Sequence, residues 1–416
     1  MDTPAGQIED VLHRFFTDRL TEAPAGIAGL YEPIADLVLR GGKRLRARFV
    51  LLGWRGTGTS TTAGAVGAAA VVELLHACAL IHDDVMDGSD TRRGAPAVHR
   101  AFAELHRRAH WHGSGANFGM SAAITAGDLC LVWADRLLRS CDLPAAAVAR
   151  ARPVYDDMRA LTMHGQYLDL VTQASGEPSA AAALEVARAK TAACTTTGPL
   201  RFGGALAGGS AELLAGYAAY GDALGVAFQL RDDLLGAFGD PAATGKPSGD
   251  DLRDGKRTVL LAEAVARLSP GESRGLAELL SQGTDDAVDR LRRLLIASGA
   301  REAVEARIDA LGRQAATHAR QLPLADEAVR AELLGLVEIV TGGRAGAVRT
   351  SGRGGAADGP AGRADGIGGI GMADEISAAN GTGTADRTGT ADGISGPPSV
   401  PAAARPPASE PPRTAA

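Results

Sequence analysis

Cysteine is rare in this sequence. The four present, Cys78, Cys130, Cys141 and Cys194, are widely scattered and show no CxxC spacing. That pattern argues against zinc sites and disulfides and suits a reducing compartment. A basic excess is also missing: 43 Lys and Arg stand against 49 Asp and Glu, a formal net charge of −6. A nucleic-acid binder would carry a cationic surplus, so no nucleic-acid partner is expected. Met1 to Asp10 holds three acids and lacks the basic-then-apolar run of a secretory signal. No uncharged apolar run reaches the ~18 residues that cross a bilayer, so no transmembrane segment is expected and the protein reads as cytoplasmic. Strand patterning is scarce too, since Val and Ile seldom alternate with polar residues.

What is present is helical. From Gln7 to about Thr341 apolar residues recur at three- and four-residue steps among Ala, Leu, Arg and Glu. This predicts an all-α bundle over 1–341. Helices are expected near 6–20, 27–56 with a break at Gly41-Gly42, 61–87, 117–140, 143–174, 178–199, 211–237, 256–267, 272–282, 284–298, 300–321 and 324–341. Ala63 to His82 and Ser121 to Leu138 are apolar nearly all round, which places them in the interior. Two charged, glycine-bearing loops interrupt the pattern, at 88–99 and 239–256, and such loops tend to carry function. Beyond about Gly342 large apolar residues nearly vanish, so 342–416 is expected to be a disordered, low-complexity tail.

The stretch ELLHACALIHDDVMD, Glu73 to Asp87, begins as an apolar helix and ends in three aspartates. Asp83 and Asp87 stack their carboxylates on one face, about one turn apart, which costs a bare helix roughly 0.2–0.5 kcal/mol. The cluster is either a solvated helix end or a seat for a hard cation such as Mg2+, which bridges one or two carboxylates to phosphates. Far along the chain, FQLRDDLLG closes a second apolar helix on Asp232 and Asp233. Facing helices of a bundle bring such ends together.

Cations accompany both acidic ends. Gly41-Gly42-Lys43-Arg44-Leu45-Arg46 sets three cations behind a glycine pair at a helix start, an arrangement that suits phosphate. It is not a Walker A loop, because Leu37 stands where the first glycine belongs. Arg92 and Arg93 either clamp phosphate oxygens or pair back to Asp87 or Asp90. Lys246, Lys256 and Lys190-Thr191 read as solvated unless they stand beside the second acidic pair. His106, His110 and His112 around Trp111 have no acidic or cysteine partner and are not taken as a metal site. Asp156 and Asp157 face solvent or pair with Arg152 or Arg159.

In this order, GGKRLR, ELLHACALIHDDVMD, RRG, GQYLDL, KT, FQLRDDLLG and GKPSGDDLRDGKRT resemble the trans-isoprenyl diphosphate synthase (polyprenyl synthase) family. The resemblance covers residues 30–260 by motif and runs to about 341 by helical pattern. It implies a helical bundle around a central apolar cavity, the isoprenoid synthase type, usually a homodimer. Such enzymes condense isopentenyl diphosphate with an allylic diphosphate, and two or three Mg2+ ions are expected. By the resemblance, Asp83, Asp84 and Asp87 form the first aspartate-rich motif, and Asp232 with Asp233 the second, as metal ligands. Lys43, Arg46, His76 and Arg93 match positions that bind isopentenyl diphosphate, and Arg92 one that binds the allylic diphosphate. Lys190, Thr191, Gln229, Lys246 and Lys256 match further allylic-side positions, and Gln166 with Asp169 match the GQxxD segment. The expected catalytic set is Asp83, Asp84, Asp87, Arg92, Lys190 and Asp232.

The chemistry needs these residue types. A carbon–oxygen bond to diphosphate breaks when the departing charge is neutralised, and the allylic cation survives only in a dry, apolar site. One departure stands out: the second motif would end in aspartate, but position 236 is Gly, with Asp240 four residues further on. Asp232 is therefore expected to carry most of the metal contact on that side.

Cys78 and Ala79 precede Asp83 by about one turn, toward the cavity floor. Members of the family that stop early carry aromatic residues at these places. Both are small here, so the expected product is geranylgeranyl diphosphate (C20), with Leu75 one turn deeper as the stop. A terpene cyclase would share the acidic helix but has no use for Lys43, Arg46 and His76. A non-catalytic partner subunit should have lost the first aspartates, which are intact.

Overall fold

The computed structural model describes residues 3–176, 179–239 and 249–342. Asp240, Lys246 and the tail beyond Gly342 lie outside the described residues. The chain is all-α, as its pattern predicts. In order come α1 (Pro4–Thr21), α2 (Ala28–Leu39), α3 (Leu45–Arg55) and α4 (Ala63–Met86). The two-residue strands β1 (Thr91–Arg92) and β2 (Ala95–Pro96) pair antiparallel, Arg92 opposite Ala95. Then follow α5 (Val98–Arg108), α6 (Gly115–Ser140), α7 (Ala145–Ser175), α8 (Ala180–Val186), a wide-turned π segment (Ala187–Thr197), α9 (Gly198–Leu206) and α10 (Ala211–Phe238). A single turn, Asp250–Arg253, precedes helices Val259–Val265, Pro270–Gln282, Asp285–Ala297, Ala300–Gln321 and Glu327–Thr341.

Two apolar clusters hold these elements. One gathers on α4, where Leu74 and Cys78 pack with Phe16, Trp133 and Tyr155. The other gathers on α10, where Tyr220 and Phe228 meet Leu291, Ile308 and Leu333 of the C-terminal helices. Thr62, Ser114 and Ser210 start α4, α6 and α10 by accepting from the N–H groups of Ala65, Asn117 and Leu213, each worth about 1 kcal/mol. Helix α4 is long and apolar enough to cross a bilayer even with Glu73 at its middle, but its apolar stretch is 89% buried inside the protein, where it forms core.

Two helices escape the sequence pattern. Val98–Arg108 buries only Val98, His99, Phe102 and His106, and its run of Arg and His hides that narrow apolar stripe. Gly198–Leu206 continues where Gly198-Pro199 suggested an end. Proline is tolerated in a first turn, and here it stands at one.

Candidate active site

The last turn of α4 aims its acids in different directions. Asp83 accepts from Lys190 Nζ at 2.9 Å and lies 3.7 Å from Arg92. Burial pushes its carboxyl upward, but Lys190 and Arg92 outweigh burial and hold it below the ordinary range. Asp84 is wholly buried and turns to the hairpin, taking Arg92 Nε at 2.9 Å. Its second oxygen, Oδ2, has no protein partner. Burial there wins over Arg92 and raises its pKa. Asp87 closes α4 at its C-cap. Desolvation and the neighbouring Asp83 charge lift it to about 6.

The second acidic end is built on α10. Asp233 is buried, accepts from Gln229 Nε2 at 2.8 Å and lies 3.8 Å from Lys256 Nζ. The Thr191 hydroxyl donates to Gln229 Oε1, which ties the π segment to α10. Burial raises Asp233 to about 7, with Lys256 opposing and Asp251 reinforcing the shift. Lys256 is driven well upward, first by Asp251 and then, against burial, by Asp233, Asp232 and Asp169.

Lysines join the two ends. Lys190 Nζ sits between Asp83 and Asp169, at 2.9 and 2.8 Å. The Lys256 charge is felt by Asp83 and Asp87 as well as by Asp233. Gly165 makes this possible, because a Cβ on it would overlap the backbone of Ala189 and Lys190. The GQYLDL glycine therefore lets α7 approach the π segment closely enough to share Lys190. Gln166 donates to the Met86 sulfur at 3.4 Å instead.

A basic turn lies alongside. Gly41, Gly42 and Arg44 all have positive φ, and so does Arg93, at 52°. Arg93 and Gly94 form the two-residue turn between β1 and β2, the left-handed type that suits a hairpin. Arg93 Nη1 donates to the carbonyls of Leu37 and Gly41 at 3.0 and 2.7 Å. Beneath, buried Arg44 donates to Val38 O at 2.8 Å and pairs with buried Glu73 at 3.3 Å. Glu73 also accepts from the Ala47 N–H at 3.3 Å. His76 shares a small cavity with Arg44, Glu73 and Arg93. Burial, followed by Arg46, Arg93, Arg92 and Arg44, pushes its pKa well down, so it is neutral.

Below Asp83 lies a small apolar chamber. Val72, Leu75 and Ala79 of α4 line it with Leu131 of α6, Met158, Arg159, Thr162 and Met163 of α7, and Cys194 of the π segment. Cys78 does not line it. That side chain is buried on another face of α4, its Sγ 3.8 Å from His82 Nδ1, and burial raises the thiol to about 12. Cys194, in sequence only one of four scattered cysteines, takes a place on the wall. The histidine cluster is an aromatic knob: His106 Nε2 meets His112 O at 3.1 Å and its ring packs on Trp111 and Phe118. Asp156 pairs with Arg152 and Arg159.

The arrangement of two acidic helix ends over one apolar chamber has counterparts. A polyprenyl synthetase family model matches residues 28–295. Geranylfarnesyl diphosphate synthase of Aeropyrum pernix is 32% identical over 302 residues, 71% of this chain and 88% of that one. A short chain isoprenyl diphosphate synthase of Methanothermobacter thermautotrophicus is 30% identical over 288 residues, 68% and 82% of the two chains. Among solved structures, geranylgeranyl pyrophosphate synthase of Corynebacterium glutamicum, complexed with isoprenyl diphosphate and magnesium, superposes with a TM-score of 0.77. It shares 40% identity and covers 82% of this chain and 99% of its own. The chain belongs to the polyprenyl synthetase family. It is a prenyltransferase, a trans-prenyl diphosphate synthase.

Proposed function

We propose that this protein condenses isopentenyl diphosphate with an allylic diphosphate and releases mainly geranylgeranyl diphosphate (C20). The observation that carries the reading is that Lys256 stands beside Asp233 with its charge also acting on Asp83, which Lys190 holds, above a chamber whose wall holds Ala79. Asp83, Asp87, Asp232 and Asp233 would hold Mg2+, and their hard oxygens fit that ion. Among the described residues no three such groups converge on one point. This suits an ion bound through one or two carboxylates plus substrate phosphates. Bound there, magnesium supplies charge neutralisation of the departing diphosphate.

The chain's own residues do the rest. Lys190, Arg92 and Lys256, together with Lys246, receive the allylic diphosphate and stabilise its charge as it leaves. Thr191 and Gln229 hold Asp233 in place. Lys43, Arg46, Arg93 and neutral His76 seat isopentenyl diphosphate on the basic turn. Asp84 supports the set by fixing Arg92. The apolar chamber takes the hydrocarbon and keeps water from the allylic cation.

The small Ala79 and the Leu75 below it favour a C20 product, whereas the relatives' names span other lengths. Exposed Ile124 and Val132 on α6 and Leu161 and Val171 on α7 offer a second copy a surface to cover, which supports a homodimer. Four free cysteines suit a reducing cytoplasm. Purified protein is to be incubated with Mg2+, labelled isopentenyl diphosphate and geranyl or farnesyl diphosphate. Extension to C20 supports the reading. A cyclic hydrocarbon from one substrate, or no product, overturns it.

A further inference from the structure

We infer that Arg159 is the fixed floor of the chamber and sets the length at which chain growth stops. The inference rests on the prenyl-transfer reading above. α4 and α7 run past the chamber in the same sense: Asp83 and Asp169 share Lys190 at its mouth, and each helix lines it with residues that precede its aspartate. Val72 precedes Asp83 by eleven residues and Arg159 precedes Asp169 by ten. At 1.5 Å per residue both lie roughly 15 Å below the mouth, most of a turn deeper than Leu75, which precedes Asp83 by eight residues.

Arg159 is the charged member of an otherwise apolar or small lining. Thr162 is the other polar side chain, and its hydroxyl is satisfied by Met158 O at 2.8 Å. The Arg159 guanidinium is pinned from three sides. It donates to both Asp135 oxygens at 3.2 and 3.3 Å, pairs with Asp156, and lies over the Tyr155 ring at 4.3 Å. A growing hydrocarbon tail can turn a leucine to another rotamer with little loss. It cannot push this guanidinium aside without breaking the Asp135 hydrogen bonds, the Asp156 pair and the Tyr155 contact together, and it offers no group to replace them. Leu75 therefore narrows the chamber, while Arg159 ends it.

The test uses the full chain with Mg2+, labelled isopentenyl diphosphate and farnesyl diphosphate, with products dephosphorylated and separated by chain length. Arg159→Ala is expected to lengthen the main product by at least one isoprene unit, and Arg159→Lys to leave it unchanged. Arg152 still reaches Asp156 at 2.9 Å and Asp135 at 3.9 Å, so the acids keep a cation when Arg159 is removed. Should Arg159→Ala fail to fold, Arg159→Met, which keeps bulk and loses charge, decides the matter by the same lengthening. Wild-type product length from the folded, active Ala or Met variant overturns the assignment. Absence of any elongation by the wild type is a separate result, and it brings down the underlying reading with it.

Discussion

Asp251 sets its carboxylate in the space that a side chain on Gly236 would need. A Cβ at position 236 would come inside 3.0 Å of Asp251 Oδ2, closer than real Cβ atoms approach. The backbones are tied as well, Gly249 N donating to Gly236 O at 3.1 Å. Restoring an aspartate to the end of the second motif therefore collides with a carboxylate already there. Gly236→Asp is expected to lose about 1–3 kcal/mol through overpacking, read from urea midpoints. Adding Asp251→Ala should recover at least half of the loss. A double variant no more stable than Gly236→Asp alone would show that the two side chains do not compete for that space.

Lys190 is the shared cation of Asp83 and Asp169. Removing it leaves two partly buried carboxylates facing each other. Lys190→Ala is expected to lower kcat by about 10²–10³, the usual size of one lost electrostatic stabiliser. The KM for isopentenyl diphosphate should move far less, because the basic turn lies elsewhere. Steady-state kinetics varying each substrate in turn will show whether the loss falls on kcat.

Glu73 supports the basic turn from below. Its partner Arg44 is buried with it and would keep only the half-exposed Glu9, at 3.9 Å, as a counter-charge, so Glu73→Ala is expected to cost about 3 kcal/mol. Glu73→Gln keeps an acceptor for the Ala47 N–H and should fold. Its expected signature is a raised KM for isopentenyl diphosphate with the allylic KM unchanged. Equal movement of both constants would place Glu73 outside the support of that turn.

Ala79 occupies the chamber wall between Asp83 and Leu75. A phenyl ring there fills the upper chamber, so Ala79→Phe is expected to shorten the product, detectable by chromatography of the dephosphorylated chains. The same ring at position 78 should instead overpack the core, because Cys78 is fully buried away from the chamber.

The buried Asp233 gives a pH signature in metal-free protein. Its pKa is raised, mainly by burial, from 3.8 to about 7. The stability it contributes is therefore complete below the ordinary carboxylate value and is lost as pH rises through about 7. Relative to Asp233→Asn, the wild type should lose on the order of 3 kcal/mol between pH 4 and pH 8. Urea melts of both proteins in chelator at those two pH values will measure the difference. Parallel pH profiles would mean that Asp233 is already charged at low pH.

Much of this was legible in the residue order. The apolar runs gave α4, α6 and α10, and their acidic ends gave the elements of the site, because both are local patterns. What escaped was set by packing across the chain. Cys78 stands about one turn before Asp83 yet points into the core, whereas Cys194, on the π segment far along the chain, reaches the chamber wall. The pairing of Asp156 with Arg152 and Arg159 was open to sequence reading. That Arg159 also faces a cavity depends on how α7 lies against α4. The fit of Asp251 against Gly236 joins residues fifteen apart in the chain, a relation that no spacing encodes. The helix Val98–Arg108 stayed hidden because four buried residues among many cations make a faint stripe.

Arg92 and Arg93 are neighbours in the chain but serve different places. Arg92 reaches Asp84 and Arg93 reaches the carbonyls of Leu37 and Gly41. The division follows from the small hairpin: Arg92 is the last residue of the extended strand, whereas Arg93 opens the left-handed turn, so the chain reverses between them. Moving that corner back by one residue would place Arg92 in the turn and cost both side chains their present partners. The corner therefore sorts two guanidiniums made of identical atoms and keeps them from trading jobs.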